Sequence, residues 1–192
     1  MSATERPLLL AAFNGGFKQS TGVGGFEVNG TIVSALRPGL ASLVIDFNGS
    51  ARVGVWGQQV PTFGERILSV RQNLPPLVIA SRPSPSIGDI ARWGATLGGG
   101  AVVARSALGQ DAQGNIVYAA GMQALPADLA QALIAVGITD AMELDINPEW
   151  VQLAFAGTVG RSLSTAIPGQ HRPASQYLTG WTRDFIAVIA SR

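Results

Sequence analysis

Apolar positions along the chain fall in short runs, of strand length, cut by Gly, Pro and Asn. The run 8–13 is continuously apolar and stops at Asn14-Gly15-Gly16, which predicts a buried strand ending in a tight turn. Phe26-Glu27-Val28 and Thr31-Ile32-Val33 flank Asn29-Gly30. That dipeptide favours a type I′ turn because both central residues need positive φ, so a hairpin is predicted. The pattern recurs over 43–47, Asn48-Gly49 and 51–56, with Leu43, Ile45 and Phe47 on one strand face and Val44 and Asp46 on the other. Residues 57–76 contain Pro61, Pro75 and Pro76 and read as a loop holding one short strand around 67–70, with another strand at 77–80. A Ser/Pro/Arg turn cluster at 81–86 precedes one or two helical turns at 87–93. Strand-like segments 101–108 and 116–120, joined by a Gly-containing loop, predict a third hairpin.

One helix is well marked. Pro126 stands at its first turn and Gly137 just past its end, and Leu125, Leu129, Leu133 and Val136 form one stripe. The segment that follows alternates, so an extended backbone puts Met142, Leu144 and Ile146 on one face and Glu143, Asp145 and Asn147 on the other. Pro148 ends it. A strand over 151–156, a polar stretch 157–176 and an apolar finish over 184–189 complete the chain. Hairpins with segregated helices predict an α+β fold, mainly antiparallel sheet with one or two packed helices, in a single domain over 1–192.

Composition narrows the chemistry. With no Cys and His171 as the lone histidine, thiol catalysis and Cys/His zinc sites are excluded. Net charge is +1, with Lys18 the only lysine and the arginines scattered, so the electrostatic footprint of a nucleic-acid binder is missing. No run approaches the roughly 20 apolar residues that span a bilayer as a helix, and 8–13 is too short and wrongly flanked for a secretory h-region. Charged residues make up only 13% of the chain, and acidic ones number twelve, so two carboxylates on one strand face stand out.

Glu143 and Asp145 are an acid/base pair if their face lines a cleft, and the solvated face of an edge strand otherwise. Same-face neighbours lie roughly 6.5–7 Å apart, a separation that with side-chain freedom serves retaining and inverting glycosidases alike. Asn14-Gly15-Gly16-Phe17 lacks Cβ crowding at two positions, so backbone N–H groups there can approach an anion closely; a plain turn is the other reading. Arg105 lies inside an apolar strand and must be paired, either with a phosphate or carboxylate ligand or with one of the acids. Gly98-Gly99-Gly100 precedes it and lets the backbone bend. His171 reads as an exposed loop residue with the capacity for acid/base work. Trp56, Trp93, Trp150 and Trp181 offer stacking faces for a sugar, or packing. Carboxylates and Asn147 are of the right type to bind a metal, but no spacing argues for one.

Taken in order, these pieces resemble the phosphodiester glycosidase family, the N-acetylglucosamine-1-phosphodiester alpha-N-acetylglucosaminidase-like domains. The resemblance is carried by Asn14-Gly15-Gly16-Phe17, the Val28-Asn29-Gly30 hairpin, Arg105-Ser106-Ala107-Leu108-Gly109 with Gly114, the helix ending in Val136-Gly137, Glu143-Leu144-Asp145 and Arg183-Asp184-Phe185. It departs after Asp145, where Ile146-Asn147-Pro148-Glu149 stands in place of a glycine run. The resemblance implies a hydrolase that cleaves the glycosidic bond of a sugar-1-phosphodiester in a glycan or cell-surface polysaccharide, without a cofactor, at an extracytoplasmic or secreted location. It implies roles for Asn14 and Arg105 in binding, with the amides near Gly15 and Gly16 beside them, and for Asp145 in catalysis; Asn147, on the same strand face as Asp145, is a further substrate-binding candidate. Glu143 joins as a second catalytic carboxylate from its shared strand face. The altered segment after Asp145 supports the other expectation, a catalytically altered glycan-binding or structural domain of a larger exported protein.

Overall fold

A computed structural model describes residues 1–94, 99–179 and 183–191. Gly98 and Trp181 lie outside these residues. The strands are β1 (Leu9–Asn14), β2 (Phe26–Val28), β3 (Thr31–Ser34), β4 (Ala41–Asp46), β5 (Ala51–Val55), β6 (Ile67–Gln72), β7 (Val78–Ile79) and β8 (Arg82–Pro83). They continue with β9 (Val103–Asp111), β10 (Ile116–Ala124), β11 (Ile138–Glu143), β12 (Leu153–Phe155), β13 (Ser164–Thr165) and β14 (Phe185–Ile189). The helix α1 (Pro126–Ala135) lies between β10 and β11.

Among the described residues all strand pairs are antiparallel, in three sheets. Sheet I has the order β13-β12-β1-β14, sheet II β10-β9-β11-β7-β8, and sheet III β3-β2-β6-β4-β5. The expectation of an α+β fold is therefore corrected: this is a mainly β protein with one α-helix among the described residues. The predicted helical turns over 87–93 supply only a 3₁₀ turn, Ile90–Trp93. Gly88 and Gly94 bracket it, and Trp93 is its one buried residue, so no apolar stripe exists to dock a longer helix.

The two Asn-Gly turns differ. Asn29 and Gly30 both have positive φ, 51° and 72°, as the type I′ turn requires. Asn48-Gly49 instead belongs to a three-residue loop. Gly49 N–H donates to the Asp46 carbonyl and Asp46 N–H to the Ser50 carbonyl, each at 2.9 Å, and in this loop only Gly49 has positive φ.

The core explains why β9 reads as an unbroken buried run. One face of sheet II, with Ala107, Ile138 and Ala141, packs on Leu129, Ala130 and Leu133 of α1. On the other side Leu108, Met142 and Leu144 meet Phe13 of sheet I and Leu43 and Val53 of sheet III. A strand covered on both faces has no solvent side, so Arg105 and Ser106 are buried along with the apolar residues around them. Segment 67–72, expected to hold only a short strand within a loop, is the central strand β6 of sheet III. Its polar end is satisfied inside. The Gln72 amide accepts from Gly25 and Arg37 N–H and donates to the Arg37 carbonyl and the Ser42 hydroxyl.

Candidate active site

The site forms at one end of sheet I, where β1 finishes and β12 and β14 begin, against the segment leaving β11. β11 pairs with β9 through Glu143 opposite Ala107, and pairing continues past the strand. Leu144 N–H donates to the Ser106 carbonyl at 2.7 Å and Ser106 N–H to the Asp145 carbonyl at 3.0 Å. The Ser106 hydroxyl donates to the Asp145 carbonyl and accepts from Asp145 N–H and from Asn14 Nδ2. This one small side chain therefore links β9, β1 and Asp145.

Asp145 is only 3% exposed. Its Oδ1 accepts the backbone N–H groups of Ile146 (2.8 Å) and Asn147 (3.1 Å), and its Oδ2 forms an ion pair with Arg183. Burial raises its pKa above the ordinary carboxylate value, while Arg183 and the two amides pull it down. Asn14 is saturated: Nδ2 donates to Ser106 Oγ and the Gly15 carbonyl, and Oδ1 accepts from the Tyr118 hydroxyl and Gln152 N–H.

The two glycines are needed for a close approach. A Cβ on Gly15 would stand 2.0 Å from Asp184 Oδ2, and one on Gly16 would stand 3.0 Å from Asn73 Oδ1. Asp184 is itself fixed, its Oδ2 accepting from Arg71 Nε at 2.7 Å. Asn73 donates to the Glu143 and Leu144 carbonyls and accepts from Phe17 N–H, which pins the glycine turn to the end of β11.

Asn14, Gly15, Gly16 and Asp145 line one small cavity, together with Trp150, Gln152, Tyr177, Arg183 and Asp184. Its volume is about 10 Å³, room for one water molecule. Arg183 stacks its guanidinium over the Trp150 ring at 4.6 Å while reaching Asp145, and it lines the cavity. Arg172 lies against the same ring at 5.5 Å.

Arg105 and Glu143 do not line this cavity. They form an ion pair of 2.6 Å with both side chains fully buried. Arg105 donates in addition to the carbonyls of Ala124, Trp93 and Ala101, so it ties β10 and the flanks of segment 94–101 to β9. Burial pushes the Glu143 pKa up to about 7 against the opposing pull of Arg105, and its Oε2 has no hydrogen-bond partner among the described residues. Asn147 is exposed and shapes the turn after Asp145, with Oδ1 accepting Glu149 N–H. His171 pairs through Nδ1 with Glu149 at 2.8 Å, and Trp93 is buried in the core beneath α1. Among the described residues no group of three or more Asp, Glu, His or Cys side chains could hold a metal ion, and no helix is long and apolar enough to cross a membrane.

Sequence reasoning did not select Arg71, Asn73, Gln152, Tyr177, Arg183 or Asp184 as site residues. Arg71-Gln72-Asn73 did carry a signal, three polar residues at the end of a strand that the sheet buries. Arg183-Asp184 is an opposite-charge pair just before an apolar strand.

The class that this architecture defines is a mainly β domain of three antiparallel sheets with a polar cavity at the end of one. Solved structures resemble it, two of them as follows. The catalytic domain of zebrafish N-acetylglucosamine-1-phosphodiester alpha-N-acetylglucosaminidase, auto-inhibited by its pro-peptide, matches over 96% of this chain at a TM-score of 0.60 and 18% identity. The likeness is one of fold, and this chain spans 64% of that domain's length. A hypothetical protein from Synechocystis matches over 79% of this chain and 48% of its own, at a TM-score of 0.48 and 14% identity. No family model and no curated protein matches the sequence.

Proposed function

We propose that the protein hydrolyses the glycosidic bond of a sugar-1-phosphodiester, releasing the sugar and a phosphomonoester. The observation that carries this reading is a buried carboxylate, Asp145, paired with Arg183 beside the Asn14-Gly15-Gly16 turn, in a fold shared with a phosphodiester glycosidase. The Arg183 guanidinium is a planar fork suited to two phosphate oxygens. When it turns from Asp145 to the phosphodiester, it neutralises the anion and uncovers the carboxylate. Asp145 then acts on C1, either as the nucleophile or as the base that activates water, and stabilises the oxocarbenium-like centre. The C1–O bond breaks, its electrons leave with the phosphate, and the oxygen of water ends on C1. A phosphomonoester is a good leaving group, so little general acid help is needed, and no carboxylic acid is assigned that role. We place Glu143 and Arg105 behind the site, as the pair that fixes β11 against β9.

A second reading, glycan binding without turnover, draws on the small cavity, in which Arg183 engages Asp145 directly. Hydrolysis of methyl α-N-acetylglucosaminyl phosphate in ¹⁸O-labelled water separates the two. The heavy oxygen is expected in the sugar. Label in the phosphate would mean P–O cleavage and overturn the assignment, and binding without turnover across sugars would favour the second reading.

A further inference from the structure

We propose that the side-chain amide of Gln152 reads a hydroxyl group on the sugar ring and so sets the sugar specificity of this site; the proposal rests on the glycosidase reading above. Gln152 immediately precedes β12 and is 2% exposed. Its main chain is fully engaged. The N–H donates to Asn14 Oδ1, and the carbonyl accepts from Asn14 N–H and the Tyr177 hydroxyl. Gln152 lines the cavity, and its buried Oε1 has no hydrogen-bond partner among the described residues.

That makes Gln152 an exception among the buried amides. Asn14, Gln72 and Asn73 are each bonded through both their oxygen and their nitrogen to groups of the protein itself. The buried amide left with an open acceptor is the one in a residue that lines the cavity. An unpaired buried acceptor costs stability, and a ligand donor recovers it on binding.

The chemistry of the amide narrows that ligand. It offers an open acceptor beside a donor group that also meets the Tyr177 hydroxyl, which suits a hydroxyl, a group that both donates and accepts. A phosphate diester oxygen only accepts and leaves Oε1 unsatisfied. The anion has its own partner in Arg183, which lines both this cavity and the open groove beside Lys18 and Gln19. Gln152, buried beside Tyr177, faces the sugar, and Trp150 lines the same cavity. In the free protein a single water fits the space, and a sugar hydroxyl displaces it.

The test uses methyl phosphodiesters of α-glucose-1-phosphate and its 2-, 3-, 4- and 6-deoxy analogues with wild-type protein, Gln152→Met and Gln152→Glu. Wild type is expected to lose at least about tenfold in kcat/KM at one deoxy position. In Gln152→Met that difference vanishes, because the parent sugar falls to the level of the deoxy analogue. Gln152→Glu keeps an acceptor and restores the discrimination. Dissociation constants for the matching sugar 1-phosphates, measured by calorimetry, should show the same pattern without any turnover. A binding pattern with no hydrolysis would therefore sink the glycosidase reading and leave this proposal standing. The melting temperature of Gln152→Met should equal or exceed that of wild type, since an orphaned acceptor is removed. Discrimination that persists in Gln152→Met, equal losses across all sugars, or no sugar-phosphate binding at all overturns the proposal.

Discussion

Asp145 holds a charge that burial disfavours, and it does so with three partners, Arg183 and the amides of Ile146 and Asn147. Burial still leaves the Asp145 pKa raised, and at Glu143 it outweighs Arg105 as well and lifts the pKa from an ordinary 4.5 to about 7. Between those values the folded protein holds a proton that the unfolded chain has released, so folding stability falls as pH rises from about 4.5 to about 7 and levels off above. Urea midpoints across that range should show this decline in wild type and a flatter profile in Glu143→Gln; equal slopes would contradict it. At this scale the sequence made Asn14, Gly15, Gly16 and Asp145 legible, because rare carboxylates and paired glycines are visible in one dimension. It did not show that Arg105 and Glu143 would spend their charges on each other, since both readings of Arg105 fit the same apolar run. Gln152 acquires meaning only from what the fold places beside it, and Arg183, visible in the sequence as part of Arg183-Asp184-Phe185, acquires its role beside Asp145 from the fold.

Elements were legible where the signal is local. The type I′ turn at Asn29-Gly30, the helix between Pro126 and Gly137 and the β9–β10 hairpin all follow from backbone preference and period. Of β6 only the stretch 67–70 was legible as a strand, because Arg71 and Gln72 at its end are polar, and only pairing with β2 and β4 explains how they are buried. The tie between sheets III and I runs through the same strand, Arg71 to Asp184, past the turn that leaves β1. Gly15→Ala forces a Cβ against Asp184 Oδ2 and is expected to destabilise by about 1–3 kcal/mol while weakening sugar-phosphate binding. Gly88→Ala has open space and no positive φ and should stay within about 0.5 kcal/mol of wild type. Chemical denaturation of the two variants checks this, and equal stability would mean that the close approach at Gly15 carries no constraint.

At the scale of the molecule, topology escaped the sequence. β1 sits inside sheet I because it pairs with β12 and with β14, Asn14 opposite Phe185, and no local pattern encodes a partner that far along the chain. The same pairings assemble the site, bringing the end of β1 to Asp145, Gln152 and Arg183. The central claim is that this assembly makes Asp145 the catalytic carboxylate. The most direct measurement is the turnover of a sugar-1-phosphodiester by Asp145→Asn beside wild type, with thermal melting followed on both. The account predicts a loss of at least about a thousandfold in kcat with a cooperative melt retained; a folded Asp145→Asn variant that keeps wild-type turnover would contradict it.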